Sequence, residues 1–418
     1  MAIKTDIAVI GASPAGLMAA RYAALGGAKV TLFEKKETIG ENPHPANSFF
    51  KGMMDITGEK ADPSYIVHTI KGMKLFSPAG HKIKVKTHGY AIDKSKFDQF
   101  YEKKALSEGV NIETGTEVVS LRRKDSGILL KTVSGNHENE SENHENESEN
   151  HESESENHES ESKSMKAKIV IIADGIQSKS ARMLGLKTMK YPEDIAWGTE
   201  LTVKAPGIGE SGFAEYFVGS HAPGWKSSYL PRGGDIASIG VYVRHYGQNI
   251  SSFSDAWVSR FKEIKNIADG EFEILDSKSA GDPIVTIPHQ TYAGNVMVVG
   301  GAAGQSGIGY AMHAGQIAGK IGAAAIAKGD YSERALSQYR SSWRRSLYTE
   351  HVFGRLGLET LRKMNDTEID ELFEIFENED VSSLIKGSTI NQGLSVLSLM
   401  IQKKPSSILK MGAFFRNR

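Results

Sequence analysis

Three stretches carry residue types that can grip a phosphorylated ligand. In the first, Gly11-Ala12-Ser13-Pro14-Ala15-Gly16 joins an apolar strand to a helix. Gly11 permits a tight turn, and Gly16 lets the helix pack closely on its sheet. The start of that helix offers free N–H groups and a positive dipole end to a pyrophosphate. Glu34 ends the next strand, 18 residues beyond Gly16, where a carboxylate accepts hydrogen bonds from ribose hydroxyls. Ser13 stands where such turns carry a middle glycine, and it narrows the approach of the pyrophosphate. The second stretch is Ile169-Val170-Ile171-Ile172-Ala173-Asp174-Gly175, with Ser178 and Arg182 following. Taken alone, its Asp-Gly pair is equally an ordinary turn. The third runs from Gly294 through Gly300-Gly301-Ala302-Ala303-Gly304 to Gly307-Ile308-Gly309. It brings backbone and a second helix start toward a flat, phosphorylated ligand, or else makes a closely packed strand–helix corner.

The elements that must position these turns are readable from periodicity. Asp6 to Ile10 reads as a strand, Ala15 to Leu25 as a helix closed by Gly26-Gly27, and Lys29 to Phe33 as the next strand. Together they form a β-α-β unit. A helix is predicted from about Lys96 to Glu108 and a strand at Val110 to Ile112. Strands are also predicted at Gly127 to Val133 and Ala167 to Ala173. Alternation broken by Gly and Pro between Trp197 and Val243 predicts antiparallel strands. After Tyr331 the chain reads as helices, with Ile369, Leu372, Phe373 and Phe376 forming one packing face.

Composition sets further bounds. At 418 residues, two or three domains are expected. The chain has no cysteine, which excludes disulfides, thiolate metal ligands, iron–sulfur ligation and a redox-active thiol pair. Redox chemistry would need a bound organic cofactor. Residues His137 to Ser162 hold eleven Glu and four heptad-spaced His, at 137, 144, 151 and 158, with only Asn and Ser otherwise. Lacking apolar residues, this repeat is read as a disordered, solvated insert over 136–164, with weak metal binding the lesser alternative. Without those eleven Glu the chain carries 50 basic and 40 acidic residues, a net +10, which suits an anionic partner. No apolar run of spanning length and no signal-peptide pattern are found. A cytoplasmic location is the expectation. Peripheral membrane contact is added by Val381 to Arg418, which has six basic residues, no acid and many apolar ones. A tail packed on its own domain is the alternative.

Taken in order, the motifs resemble the FAD-dependent monooxygenase-like superfamily, and within it the geranylgeranyl reductase family. Tyr90-Ala91-Ile92-Asp93-Lys94-Ser95-Lys96-Phe97-Asp98 is similar to the family segment that places an Arg before a Phe-Asp pair. Pro223-Gly224 and Pro231-Arg232-Gly233-Gly234 resemble its substrate-domain hairpin. The resemblance departs at Lys94, which replaces Arg, and at Gly301, which replaces an Asp. It departs again at the short loop between Gly304 and Gly307 and at Ser228 and Leu230, which replace Trp and Phe. A cysteine common near positions 46–52 is absent.

The resemblance implies an α/β fold. Its Rossmann-like, three-layer ββα FAD-binding domain would span 1–75, 90–186 and 281–330. An antiparallel β-sheet substrate domain would span 76–89 and 187–280, and a helical C-terminal region 331–418. It places FAD against Gly11, Ser13, Ala15, Gly16, Glu34 and Lys35. The cofactor's other contacts would be Lys94, Val118, Asp174, Gly175, Gly301, Gly307 and Ile308. It implies saturation of isoprenoid double bonds in membrane lipids. The electrons would come from an external donor, NAD(P)H or a reduced ferredoxin-like carrier, and no nucleic acid is involved. Tyr229, Lys226 and His313 are the candidate proton donors. An aromatic hydroxylase using NAD(P)H and oxygen, and a lipid-binding flavoprotein without catalysis, are the alternatives.

Overall fold

The computed structural model describes residues 3–124, 127–134, 161–244, 250–284 and 286–377, with Val381 and Gln402. In chain order the first elements are β1 (Ile3–Ile10), α1 (Pro14–Leu25), β2 (Val30–Phe33), β3 (Ser48–Phe50), α2 (Lys51–Thr57), β4 (Ile66–Phe76) and β5 (Lys82–Ile92). Then come α3 (Lys94–Ser107), β6 (Asn111–Glu113), β7 (Thr116–Lys124), β8 (Gly127–Ser134), β9 (Glu161–Ile172) and α4 (Lys179–Met183). The middle of the chain holds β10 (Ala196–Lys204), β11 (Phe213–Phe217), β12 (Lys226–Pro231), β13 (Ile236–Val243), α5 (Ile250–Lys265) and β14 (Glu273–Asp282). It ends with β15 (Tyr292–Ala293), β16 (Val296–Val298), α6 (Ile308–Lys328), α7 (Glu333–Trp343), α8 (Thr349–Lys363) and α9 (Asp366–Phe376).

In the first sheet, β16, β9, β1, β2 and β6 lie side by side in parallel. These strands are covered on both faces, which is why Ile7, Ala8, Val9 and Ile169 to Ile172 are apolar without alternation. The long β9 also pairs antiparallel with β8, and β8 with β7, giving a second β layer. On the other face α1 and α6 run together. A Cβ at Gly315 would stand 2.2 Å from the Ala15 carbonyl oxygen, and one at Gly319 2.4 Å from that of Ala19. Glycine at these two positions sets the helix contact.

The second sheet runs β14-β10-β13-β12-β11-β4-β5-β3, antiparallel except where β11 meets β4. Alternation divides its faces. Ala237, Ile239, Val241 and Val243 of β13 pack with Trp257 and Phe261 of α5. Ser238, Gly240 and Tyr242 belong to the opposite face. There α9 closes the apolar end: Leu372, Ile375 and Phe376 pack on Met73, Leu75, Ile83 and Val85. Ile369 and Phe373 pack beside them on Val218.

The sheet pairing corrects the expected domain limits. A boundary at 75/76 would cut through β4, which pairs only within the second sheet, as does β3. Residues 48–50 and 66–75 therefore lie with the substrate-side strands, and β14 carries that sheet on to Asp282. The acidic insert also ends earlier than expected, because β9 begins at Glu161. The rest of that insert, residues 135–160, and nearly all of the basic tail lie outside the described residues.

Candidate functional site: the cofactor turns and the recess beside them

The first turn is closed by backbone. Gly11 has φ +95°, and a Cβ there would stand 2.7 Å from the Ala173 carbonyl oxygen. A Cβ at Gly16 would stand 2.0 Å from the Gly11 carbonyl oxygen. Ser13 does more than narrow the approach. Its Oγ donates to the Ala173 oxygen at 3.0 Å and accepts the Gly16 amide at 3.3 Å, so it caps α1 and ties the turn to β9. Pro14 has no N–H, which leaves Ala15 as the first-turn amide open to a ligand. Glu34 accepts the Ala12 amide at 2.7 Å and the Lys36 amide at 3.1 Å, which fixes its carboxylate beside the turn.

The other two turns meet the first. Asp174 accepts the Ser180 amide at 3.0 Å through Oδ2, while its Oδ1 is buried with no partner. A buried, unpaired carboxylate oxygen is costly and marks a place for a ligand donor. Gly175 has φ +87°, and a Cβ on Gly301 would stand 3.2 Å from the Ile176 amide nitrogen. Gly307, φ +84°, starts α6 with no side-chain cap. The first amides of that helix, from Ile308 to Tyr310, therefore face the same region without an internal acceptor. A glycine cradle, an unpaired acid and two helix starts fit the pyrophosphate and hydroxyls of a dinucleotide.

Three expected contacts sit differently. Lys35 is exposed, while Val118 is buried in β7 with Phe33 in its core cluster. Lys94 is buried in an ion pair with Asp98, Nζ to Oδ1 2.6 Å. Burial raises the Asp98 carboxyl, against the pull of Lys94.

Beside these turns, the face of the second sheet that bears Tyr242 carries charge. Glu200 of β10, Tyr216 of β11, Lys226 of β12 and Asp282 of β14 come together there. The strand register places Glu200 level with Gly240, Ser228 and Tyr216, and Lys226 level with Tyr242 and Gly198. Glu200 accepts the Asn47 side-chain amide, and the Ser306 hydroxyl donates to Asp282. Ser306 belongs to the loop before α6, so the second sheet is joined to the cofactor turns here. Glu200, Tyr216, Lys226 and Asp282 are closely surrounded yet keep partial solvent access, the mark of a recess.

Of the three candidate proton donors, only Lys226 lies in this recess. Tyr229 sits three residues on, on the opposite face, packed near Phe261 with its hydroxyl donating to the Ile208 oxygen. His313 lies on α6 with Gln316 as its ring partner. Glu200, Asp282, Asn47 and Ser306 were not singled out in the sequence. The available signal was an acid inside an otherwise uncharged run, Gly198 to Val203.

The family model described as pyridine nucleotide-disulphide oxidoreductase matches residues 5–195. Digeranylgeranylglycerophospholipid reductase 1 of Methanothermobacter thermautotrophicus is 29% identical over 99% of this chain and 99% of its own length. Digeranylgeranylglycerophospholipid reductase of Methanocaldococcus jannaschii is 30% identical over 88% of this chain and 90% of its own. The chain belongs to the digeranylgeranylglycerophospholipid reductase family. The cofactor of this family member is FAD, and the chain is an oxidoreductase. Its fold is shared with a geranylgeranyl bacteriochlorophyll reductase-like protein of Thermoplasma acidophilum. There the TM-score is 0.83 at 21% identity, covering 99% of this chain and 100% of that one. The p-nitrophenol 4-monooxygenase of Pseudomonas putida shares it more distantly. The TM-score is 0.66 at 14% identity, over 96% and 98% of the two chains.

Proposed function

We propose that this protein is an FAD-dependent reductase that saturates the isoprenoid double bonds of membrane lipids. The observation that carries this reading is relatedness along nearly the whole chain to reductases named for such a lipid. When bound and reduced, FAD supplies hydride, which carries both electrons of the reduction. The chain supplies the rest. Gly11, Ala15 and Glu34 would hold the ADP half, and Asp174 Oδ1 would accept from a hydroxyl of the cofactor. Gly301, Gly307 and Ile308 bring backbone to its other half. The second sheet positions the lipid chain and keeps water away from the reacting carbons.

Electrons would come from NAD(P)H or a reduced ferredoxin-like carrier. Among the described residues no helix is long and apolar enough to cross a membrane. Peripheral contact with an anionic bilayer is the finer proposal. It is supported by the basic tail and by exposed Phe353 and Leu356 on α8, near exposed Arg362 and Lys363. The deciding experiment is anaerobic. The purified protein is reduced with dithionite, geranylgeranyl lipid is added, and the flavin spectrum is followed. Reoxidation coupled to lipid saturation is expected, and no reoxidation by any prenyl lipid would remove the reading.

A further inference from the structure

The recess holds a cation, Lys226, set against aromatic rings. Lys226 Nζ lies 4.1 Å from the centre of the Tyr216 ring and 4.9 Å from that of Trp225. Among the described residues, no hydrogen bond or ion pair engages it. The neighbouring Trp225 Nε1–H is also buried with no partner. The two nearest anions are both occupied elsewhere, Glu200 by Asn47 and Asp282 by Ser306. A cation kept among rings, with carboxylates acting on it but not bonded to it, is poorly explained by stability. Removing it from water is costly, and a direct ion pair would have offset more of that cost.

Elementary chemistry says what such a group can do. An isolated alkene has no polar atom to hold, so polar contacts cannot bind its ground state. Saturating it adds a hydride to one carbon and a proton to the other. Hydride is the cofactor's contribution; the proton must come from a group beside the alkene, and Lys226 is the candidate donor that lies in the recess. Burial pushes the Lys226 ammonium down and the Glu200 and Asp282 carboxyls up. Their proton affinities are thereby drawn together, the pattern expected where protons are exchanged. The remaining groups do not compete. Arg232 and Lys278 act on Glu200, and His44 on Asp282. Tyr216 is pushed up to about 12, and Tyr242 well above its ordinary value, so both phenols stay neutral.

We propose that Lys226 is the general acid of the reductase reaction, giving a proton from Nζ to one carbon of the prenyl double bond as the other carbon gains hydride. The role rests on the function proposed above. One π bond is lost and two C–H bonds form. The alkene gains two electrons, the cofactor loses two, and Lys226 is left as a neutral amine. The amine regains its proton from solvent, to which the recess stays partly open. Glu200 and Asp282 are positioning residues, because they act through Lys226.

Two measurements test this on the full-length holoprotein. In the first, amines are labelled with acetic anhydride across a pH series, and residue 226 is read by peptide mass spectrometry. Lys226 should label at lower pH than exposed Lys84. An equal or higher midpoint, or no labelling of the folded protein, overturns the proposal. In the second, Lys226→Met is compared with wild type in anaerobic single turnovers. The variant should keep its flavin spectrum and its quenching of tryptophan fluorescence by geranylgeranyl lipid. Its lipid-driven reoxidation should slow by about 100-fold or more and lose the decline at high pH. Lys226→His should recover part of the rate at low pH. Wild-type rate and pH profile in Lys226→Met would remove the role of Lys226 and leave the reductase reading standing. If the wild type is itself not reoxidised by any prenyl lipid, the reading falls and this role with it.

Discussion

At the cofactor turns the ligand is met by backbone, and at the recess it is met by side chains. Gly11 and Gly16 tolerate no added atom without displacing a neighbouring strand or turn, and a Cβ at Gly301 would crowd Ile176 at 3.1 Å. Lys226, Glu200 and Asp282 come from three strands of one sheet, and Asn47 and Ser306 from two further segments. Backbone recognition resists change because any substitution alters a turn. A side-chain recess can be rewritten one residue at a time on an unchanged sheet. The departures from the resembled family at Ser228 and Leu230 lie on one strand of that sheet, β12.

Four substitutions would break or sharpen this contrast. Gly16→Val should have the largest effect, since even its Cβ would stand 2.0 Å from the Gly11 oxygen. A loss of roughly 3 kcal/mol is expected. Calorimetry should show a lower melting temperature, and the purified protein should lack flavin absorbance. Glu34→Gln comes next. It retains one acceptor where two backbone amides now bond, so a cost of about 1–3 kcal/mol and weaker FAD binding by titration are expected. Wild-type FAD affinity in that variant would show the carboxylate to be mere bracing.

Glu200→Gln tests the other side. FAD affinity should match wild type. Glu200 holds the Lys226 ammonium up against burial, so removing its charge should move the high-pH limb of lipid reduction to lower pH. A limb that stays in place would separate Glu200 from the chemistry. His81→Gln lies outside both regions and should have the smallest effect. His81 bonds Glu377 at 2.9 Å, and that bond raises it above the ordinary 6.5. Its contribution to stability is therefore complete below about pH 6.5 and is lost as pH rises through the raised folded value. Glu377 is lowered by the same bond, so its share fades as pH falls through its own folded value. The urea midpoint difference between wild type and His81→Gln should shrink toward high pH. A constant difference from pH 6 to 9 would show that the contact does not titrate.

How much was legible in the sequence follows from the same contrast. Gly11 to Glu34 is one continuous stretch whose strand, turn and helix are set by neighbours in sequence, and each was read in place. Lys226 and Tyr229 were both named as proton donors although their odd spacing puts them on opposite faces. Alternation reveals that strand residues divide, but not which face meets the cofactor. Strand β4 is hard to read because Ile66-Val67-His68-Thr69-Ile70-Lys71 lacks a clean alternation, and its partner β11 lies more than a hundred residues away. Asn47 and Glu200 meet only because long-range pairing joins their segments. His313 is a candidate by residue type alone, and the helix face that carries it pairs it with Gln316.

The β8–β9 hairpin has one more consequence. Ser134 pairs with Glu161 at its open end, so the chain leaves and re-enters the sheet at adjacent points. Loop-closure entropy rises only logarithmically with length. Growing that connection from four residues to the 26 between 135 and 160 costs just about 1–2 kcal/mol. From Glu161 to Ala173 the extended strand covers roughly 35–40 Å at about 3.3 Å per residue. Material added at the open end is thus insulated from the cofactor by the length of the strand. This is a natural port for extra sequence, and it suits a grafted fluorescent or affinity domain that leaves the redox centre untouched.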